Sequence, residues 1–356
     1  MSSDLNTTSH HYLHVAETEA SPSPCGPYFQ SSRPQVIFCR PVVPWPFIFI
    51  FLLSSLPLLR FVLSLTANYE LPFTQPDDGR RVSSEIRYPM QPRGAVCQMS
   101  HRMLVTVVSR PAEFQLRRKI RESWADARHY DAKMTRVLFL VGTEESAAAE
   151  ALLLEENRRF NDMVLCDVGE SYYNLSIKTF ALLRYQQLRC PSVDCLVKAD
   201  SDNVLNIRNL ERLCLDTGGE VIIGECEVSR RVIRSGSKWA VPFDVYPLPR
   251  YPQYCSTGTY FLSGRDTARK ITQVAASSIF FQSANMRKLP EDVLFSGIFA
   301  ELADVKRKSV EGLSFFGRPS YACVNGTYSA LALHMSKAKD PAHYFTVLNL
   351  LEGVAC

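Results

Sequence analysis

The sequence predicts an α/β fold with a mainly parallel central sheet, preceded by one membrane-spanning helix. Two observations predict the sheet: short apolar runs alternate with segments of helical spacing between residues 103 and 198, and the last of these runs ends directly before a pair of acids. Alternation of this kind is typical of parallel strands covered by helices on both faces. The third observation is an apolar segment at residues 42–65, upstream of the first predicted strand.

The predicted elements follow one another regularly in the first half of the main domain. They are strand Met103–Val108, helix Glu113–Trp124, strand Arg136–Val141, helix Glu144–Arg158, strand Asp162–Cys166, helix Asn174–Leu188 and strand Val193–Lys198. The second half is less regular, with strands Val221–Gly224, Trp239–Val241 and Tyr260–Ser263, a Pro- and Tyr-rich loop over Tyr246–Tyr260, helix Arg265–Ala276 and a further helix after Pro290. Right-handed crossovers bring the carboxyl ends of parallel strands to one edge, where ligands collect.

The composition fits one large folded domain with appendages. Of 356 residues, 46% are apolar and 21% are charged, which is ordinary for a globular chain. The formal net charge of +4, without a basic block, argues against nucleic-acid binding. The 11 cysteines form no CxxC pair, which argues against a zinc site.

The chain is predicted to contain four segments. Residues 1–41, rich in Ser, Thr, His and Pro, are predicted to be a disordered cytosolic tail. Residues 42–65 would span ~36 Å as a helix and lack the polar face of a buried core helix, so they are predicted to be a transmembrane signal anchor. Three prolines and Arg60 interrupt this segment, but membrane helices tolerate prolines and an arginine can snorkel. Residues 66–98 are predicted to be a luminal stem, and 99–356 the main domain.

The main domain is predicted to lie in a lumen. Basic residues are nearly balanced on the two sides of the apolar segment, so they do not decide the orientation. The cysteines and the N-glycosylation sequons at Asn174 and Asn325 favour an oxidising, luminal compartment. Nine of the 11 cysteines follow the apolar segment, from Cys97 to Cys356, so at least one lacks an intrachain partner.

The acids Asp200 and Asp202 directly follow the strand that ends at Lys198. Because side chains alternate along extended backbone, both carboxylates lie on the same side of the chain. Two acids at the carboxyl end of a strand can hold a divalent cation whose other ligands are phosphate oxygens. The alternative is a loop in which the acids only cap the segment that follows.

Six blocks between Met103 and His334 resemble, in order, those of the β-1,3-galactosyltransferases, type II Golgi membrane proteins of the galactosyltransferase/fringe type. The blocks are Arg117–Trp124 (similar to RxxIRxTW), Phe139–Gly142 (FLLG), Asp167–Thr179 (DxxDSYxNLTxKT), Lys198–Asp202 (KTDxD), Lys238–Tyr260 (KWYVPxxxYPxxxYPxYCSGxGY) and Glu291–Gly297 (EDVxxG). The chain departs from the family pattern at Ser123, Ser176, Ser201, Ala240 and Thr257–Thr259. The last two departures lie on the acceptor side and bear on sugar specificity rather than on catalysis.

The resemblance implies a GT-A-type nucleotide-sugar-binding domain over residues 99–356. It implies an inverting β-1,3-hexosyltransferase that moves galactose from UDP-galactose to a hydroxyl of a glycan on a glycoprotein or glycolipid, during protein glycosylation in the Golgi. By this resemblance Asp292 is the general base, Asp202 is the direct metal ligand, Asp200 lies on the metal or nucleotide side, and His334 completes the coordination. A histidine among oxygen ligands favours Mn²⁺, with Mg²⁺ as the alternative. The competing interpretations are a helix-terminal acid for Asp292 and a packed or surface histidine for His334.

The resemblance also implies binding roles for two further groups. The predicted nucleotide-sugar ligands are Arg117, Arg121, Lys178, Lys198 and Asp200, and the alternative for the arginines and Lys178 is solvated helix charge. The predicted substrate-binding residues are Trp239, Tyr260, Gly258 and Glu291, and the alternative for the two aromatics is half-buried packing.

Three other functions are compatible with the sequence. The first is the same chemistry with UDP-GlcNAc as donor. The second is a non-catalytic folding partner that keeps the GT-A fold, against which the joint presence of the three aspartates and His334 argues. The third is a membrane-tethered glycan-binding module, which would bind sugar without nucleotide or metal.

Overall fold

The computed structural model describes residues 81–144, 146–227, 229–314, 322–335 and 340–356. The predicted tail and the predicted anchor at 42–65 lie outside these ranges and stay predictions. Within the described ranges, no helix combines the length and the hydropathy needed to cross a bilayer.

A seven-stranded sheet forms the centre of the fold. Its spatial order is β3 (Met163–Gly169), β2 (Thr135–Thr143), β1 (Met103–Val108), β4 (Cys195–Asp200), β7 (Tyr254–Ser263), β6 (Val221–Glu227) and β8 (Lys306–Ser309). Neighbouring strands pair in parallel except for β7, which is antiparallel to both β4 and β6. The prediction of a mainly parallel sheet is confirmed, and the carboxyl ends of six strands share one edge.

Helices cover both faces of this sheet. They are α1 (Phe114–Arg121), α2 (Ala147–Phe160), α3 (Leu175–Arg189), α4 (Ile207–Asp216), α5 (Thr267–Ser277), α6 (Phe299–Leu302) and α7 (Pro341–Leu351). Alternate side chains of β1 enter two separate apolar clusters: Leu104 packs with α3, and Val105 packs with Trp124. These two cores account for the near-continuous apolar character of the central strands, because both of their faces are buried.

A small second sheet lies beside the end of β4. It consists of β5 (Asn203–Leu205), β12 (Ala332–His334) and β9 (Leu313–Ser314), with β12 in the middle. In the antiparallel register His334 is opposite Asn203, the residue after Asp202. A hairpin of β10 (Cys323–Val324) and β11 (Thr327–Tyr328) precedes β12. This sheet brings the late histidine of the sequence next to the acidic edge.

Four disulfides join cysteines of the described residues: Cys97–Cys190, Cys195–Cys214, Cys226–Cys255 and Cys323–Cys356. Cys166 is left as a buried free thiol, and burial raises its pKa to about 12. The prediction that at least one cysteine lacks a partner is thus confirmed. Four disulfides in one domain are typical of proteins that fold in an oxidising compartment.

The structure corrects two predictions about segments. Residues 81–98, predicted as stem, pack on the main domain: Met90 bridges to Leu165, Tyr88 donates to the carbonyl of Ala181 at 2.6 Å, and Cys97 is disulfide-bonded. Residues 239–241, predicted as a strand, form a turn and irregular backbone instead. The physical reason is a turn closed by the amide of Ala240, which donates to Ser237, and the missing N–H of Pro242.

Candidate active site

The acidic end of β4 lies against the first residues of β7. Gly258 has a φ of +74° and approaches the Asp200 carboxylate so closely that a Cβ at this position would overlap it. Thr257 also has a positive φ, of 84°, in the irregular stretch where the β6–β7 register shifts. Only glycine supplies this conformation and this close approach without steric cost. Gly258, predicted to bind substrate, therefore fixes the position of Asp200.

A buried ion network connects Asp200 to the loop before the π-helix Val293–Ile298. The ammonium of Lys198, which is fully buried, lies 2.8 Å from Asp200 and 2.8 Å from Glu291. The hydroxyl of Tyr260 donates to the other oxygen of Glu291 at 2.7 Å. Burial acts to lower the pKa of Lys198, but the charges of Asp200 and Glu291 outweigh it and raise the pKa, so the ammonium stays charged.

Asp292 is the half-buried carboxylate next to this network. One of its oxygens accepts from the amide of Val293 at 2.9 Å, at the start of the π-helix. Burial and the negative charge of Glu291 raise the pKa of Asp292 from its ordinary 3.8 to about 7, although Lys198 and the Val293 amide act in the opposite direction. A carboxyl that titrates near neutrality can take up and release a proton under physiological conditions.

Asp202 and His334 face each other across the junction of the two sheets. Their Oδ2 and Nε2 atoms are 3.6 Å apart, and both side chains are about one-quarter exposed. Two ligand atoms of one cation, each about 2.1 Å from it, lie about 3 Å or more apart, so this pair fits two positions of a coordination shell. The described residues contain no cluster of three or more His, Cys, Asp or Glu side chains that could hold a metal by themselves. Phosphate oxygens and water would have to complete such a site, as is usual for Mg²⁺.

Glu113 is a site residue that the sequence did not single out. Its Oε2 accepts from the Ser201 hydroxyl at 2.8 Å and from the Arg110 amide at 3.0 Å. These hydrogen bonds lower the pKa of Glu113 although burial acts to raise it. Glu113 thus ties the residue between the two acids to the loop after β1. A carboxylate at position 201, in place of the Ser201 hydroxyl, would be repelled by the Glu113 carboxylate. This repulsion explains why a hydroxyl stands at that position.

Lys178 lies at the same edge of the sheet. Its ammonium is buried and donates to the Ser109 carbonyl at 2.9 Å and to Glu170 at 2.8 Å. Ser109 follows β1 and Glu170 follows β3, so Lys178 holds two strand ends together. Lys178 therefore lies at the predicted edge of the sheet, but its hydrogen bonds are made to protein acceptors.

The structure corrects the predicted nucleotide contacts of Arg117 and Arg121. The guanidinium of Arg117 is fully buried, forms an ion pair with Glu156, and donates hydrogen bonds to Ser109 and two backbone carbonyls. Arg121 pairs with Asp162, which directly precedes β3, and therefore lies at the opposite edge of the sheet from Asp200. Because α1 runs away from the acidic edge, only its beginning is near the site. Neither arginine is solvated helix charge, and both are structural.

The predicted substrate-binding aromatics differ in position. Tyr260 is 1% exposed and positions Glu291, so the prediction that it packs a sugar is corrected. Trp239 is 47% exposed and lines a cleft with Tyr172 and Glu291. Burial and the charge of Asp292 raise the pKa of Tyr172. Its position in the block Asp167–Thr179 was the signal that could have identified it as a site residue.

Comparison with known proteins identifies the family of this chain. The family model described as Galactosyltransferase matches residues 115–311, more than half of the chain. The chain belongs to the galactosyltransferase family. This confirms the resemblance of the six sequence blocks, and both acids, the Lys198 network and Asp292 lie within the matched region.

Curated relatives of this family member include transferases for two different sugars. A mouse acetylgalactosaminyl-O-glycosyl-glycoprotein β-1,3-N-acetylglucosaminyltransferase is 31% identical over 60% of this chain and 55% of that protein. Human β-1,3-galactosyltransferase 5 is 28% identical over 71% of this chain and 80% of that protein. The chain thus spans about half the length of the first of these relatives. A solved structure of the galactosyltransferase LgtC aligns with a TM-score of 0.37 and 14% identity over 71% of this chain and 97% of that one, too low to establish a shared fold.

The two predicted sequons of this galactosyltransferase-family chain differ in accessibility. Asn325 is exposed in the turn between β10 and β11, where it has a φ of 50°. The side-chain nitrogen of Asn174, the atom that glycosylation modifies, donates to the Gly169 carbonyl at 2.8 Å. Only Asn325 presents an amide that is accessible without a local rearrangement, and its glycosylation stays a prediction.

We expect Gly258→Ala to lower transfer by about 10²-fold, because the new methyl group would displace the Asp200 carboxylate and small misplacements at a reacting centre have effects of this size. The measurement is glycosyl transfer by the folded variant. Gly94→Ala is the matched control, since Gly94 has a similar φ of +78° but a Cβ there meets nothing within 4 Å. Equal turnover in the two variants would contradict the role of Gly258.

Proposed function

We propose that the chain is an inverting β-1,3-hexosyltransferase that moves a sugar from a UDP-sugar to a glycan hydroxyl, with galactose as the predicted sugar. The observation that supports this most directly is the raised pKa of Asp292 beside the buried Lys198–Glu291 network and the Asp200 end of β4. The reaction requires a general base that accepts the proton of the acceptor hydroxyl. It also requires groups that stabilise the charge developing on the leaving diphosphate. The family's own activity toward β-1,3 linkages favours this reaction over a glycan-binding module.

Asp292 takes the proton in the proposed reaction. The acceptor oxygen forms a bond to the anomeric carbon while its proton passes to the Asp292 carboxylate, and the bond from that carbon to the phosphate oxygen breaks with both electrons leaving on UDP. Attack from the side opposite the leaving group inverts the anomeric centre. Lys198 holds Glu291 in place next to Asp292 through a hydrogen bond of 2.8 Å. Burial and the negative charge of Glu291 raise the pKa of Asp292 to about 7.

Asp202 and His334 would hold a divalent cation, and Asp200 would lie on the nucleotide side. Such an ion would offset the charge that develops on the diphosphate. We propose Mn²⁺, with Mg²⁺ as the alternative, because an imidazole nitrogen joins oxygen ligands. The four disulfides favour an oxidising compartment. We propose that the chain is a type II membrane protein whose GT-A-type domain lies in the Golgi lumen.

UDP-GlcNAc is the second candidate donor, because a β-1,3-N-acetylglucosaminyltransferase is among the relatives. The deciding experiment measures UDP release by the purified full chain with UDP-galactose or UDP-GlcNAc and a panel of glycan acceptors, each with Mn²⁺ and with EDTA. We expect metal-dependent release with one donor preferred. If the protein bound UDP but released none from either donor with any acceptor of the panel, a non-catalytic folding partner would be favoured. If folded protein showed no metal-dependent UDP binding, the proposed function would be contradicted.

We expect the rate of transfer to rise with pH through about 7 and to level off about one pH unit higher. Asp292 must be a carboxylate to accept the proton, and its pKa of about 7 means that half of the molecules are protonated at that pH. The measurement is initial rate against pH at saturating donor and metal. A rate that is already constant between pH 5 and 8 would contradict a base with this pKa.

A further inference from the structure

A shallow cleft lies beside the candidate base, and we call it the aromatic cleft. It is lined by Tyr172, Tyr173, Lys238, Trp239, Arg287 and Lys288, and Glu291 forms its inner wall. Asp292 is the next residue along the chain, and its charge acts on Tyr172. The aromatic cleft is therefore on the side of the base, whereas Asp202 and His334 lie at the sheet junction. An acceptor bound in the aromatic cleft would therefore lie against Glu291, the residue next to the candidate base.

Three large aromatic rings are exposed in the aromatic cleft. Tyr172, Tyr173 and Trp239 are 52%, 61% and 47% exposed, respectively. Exposed aromatic side chains that are grouped beside a catalytic group mark a binding surface rather than packing. The flat rings offer the stacking surface that the apolar face of a sugar ring requires.

The charge of the aromatic cleft is positive. The ammonium of Lys238 lies 4.7 Å from the Trp239 ring and 5.7 Å from the Tyr172 ring, and within the described ranges no acid pairs with it. Lys288, also exposed, donates to the neutral Asn285 side chain. The acid of the inner wall, Glu291, has both oxygens occupied by Lys198 and Tyr260.

We propose that the aromatic cleft binds an acceptor glycan that carries a carboxylate or a sulfate, with the sugar ring stacked on Trp239 and Tyr172 and the anion held by Lys238. This inference rests on the proposed function and names the class of acceptor. A neutral glycan would use the rings but leave the cation of Lys238 without a counter-charge. Because Lys238 contacts two aromatic faces, its ammonium is already placed above the stacking surface before the acceptor arrives.

The experiment uses a glycan array that carries matched neutral, sulfated and carboxylated forms of the same glycans. The full chain is applied with Mn²⁺, with and without UDP, and retention is measured. Transfer is then measured on the same array with UDP-galactose and with UDP-GlcNAc. We expect retention to be about 10-fold stronger on the anionic forms, which is ~1.4 kcal/mol, and to fall with added salt. Separate scoring of the sulfated and carboxylated spots distinguishes the two anions.

Lys238→Gln tests whether the preference comes from this cleft. We expect it to remove most of the anionic preference and leave retention on neutral spots unchanged. Lys133→Gln is the matched control, because Lys133 is an exposed lysine that precedes β2 at the opposite edge of the sheet, and this variant should keep the preference.

Several outcomes would overturn the inference: equal retention on neutral and anionic spots, no retention on any spot, or an anionic preference that Lys238→Gln does not change. A preference that UDP abolishes by competition would also overturn it, since the cleft would then bind the donor diphosphate. An anionic preference that depends on Lys238 but comes without any sugar transfer would support the cleft as an anionic-glycan site and count against the proposed reaction.

Discussion

Replacing Asp292 by asparagine is expected to reduce sugar transfer by about 10²- to 10⁴-fold, the range that general bases contribute. The amide has nearly the same shape and can still accept from the Val293 amide, but it cannot take up the acceptor proton. UDP and metal binding should stay unchanged, because the proposed cation ligands Asp202 and His334 are on other elements. The measurements are turnover of the preferred UDP-sugar and UDP affinity by calorimetry.

The pKa of Asp292 also predicts that this variant folds. In the unfolded chain the carboxyl ionises near 3.8, whereas in the folded chain it keeps its proton until about 7. The carboxyl therefore adds stability at low pH that is lost as the pH rises from about 4 to 7. The asparagine side chain would resemble the protonated carboxyl at every pH, so Asp292→Asn should unfold at the same or a higher temperature than the wild type at a pH of about 7.5.

Asp266→Asn is the matched control for this variant. Asp266 also precedes a helix, Thr267–Ser277, but it is exposed and pairs with a neighbouring arginine, Arg269. Its replacement should leave transfer within a factor of about two, as surface substitutions usually do. Near-normal turnover by Asp292→Asn would show that another group accepts the proton.

Replacing Asp202 by alanine is expected to weaken UDP binding in the presence of Mn²⁺ by about 100-fold or more, because loss of even a supporting residue of a metal site costs 10- to 100-fold. The carboxylate faces His334 at 3.6 Å, so its removal takes away one of the two candidate protein ligands. UDP affinity measured with EDTA should differ little between the variant and the wild type. The comparison of affinities with and without metal is therefore the decisive quantity.

Two further variants complete this test. Asp216→Ala removes an exposed acid at the end of α4 and should keep metal-dependent UDP binding. His334→Ala should weaken binding with Mn²⁺ more than with Mg²⁺, because an imidazole ligand favours Mn²⁺ over Mg²⁺. If Asp202→Ala bound UDP with unchanged affinity in Mn²⁺, the cation would have to be held elsewhere.

The strand and helix pattern of the first half could be predicted closely from local periodicity. The predicted strand Met103–Val108 is observed with the same bounds, and Asp162–Cys166 differs only at its ends from Met163–Gly169. These strands are buried on both faces, so their apolar runs are continuous and easily seen. The small sheet of β5, β9 and β12 was not predicted, because strands of two or three residues leave almost no periodic signal.

The roles of the individual charged side chains could not be predicted in the same way. Arg117 and Lys178 belong to the predicted motifs, yet both are buried and their donors are directed to protein acceptors. Conversely, Glu113 belongs to no motif that was singled out and nevertheless holds Ser201. A motif indicates that a residue type is needed, but only the directions of the side chains show whether it contacts the ligand or another residue.

By itself, the sequence determined the mainly parallel sheet, the acidic end of β4 and the galactosyltransferase family, because periodicity and motif order are properties of the chain. Only the tertiary structure decided which groups meet at the site. Strand pairing puts His334 opposite Asn203. The direction of α1 puts Arg121 at the other edge of the sheet, next to Asp162. The buried Lys198–Glu291 pair lies beside Asp292. The physical reason is that a pKa or a ligand pair depends on burial and on distances between residues far apart in sequence, which no local pattern encodes.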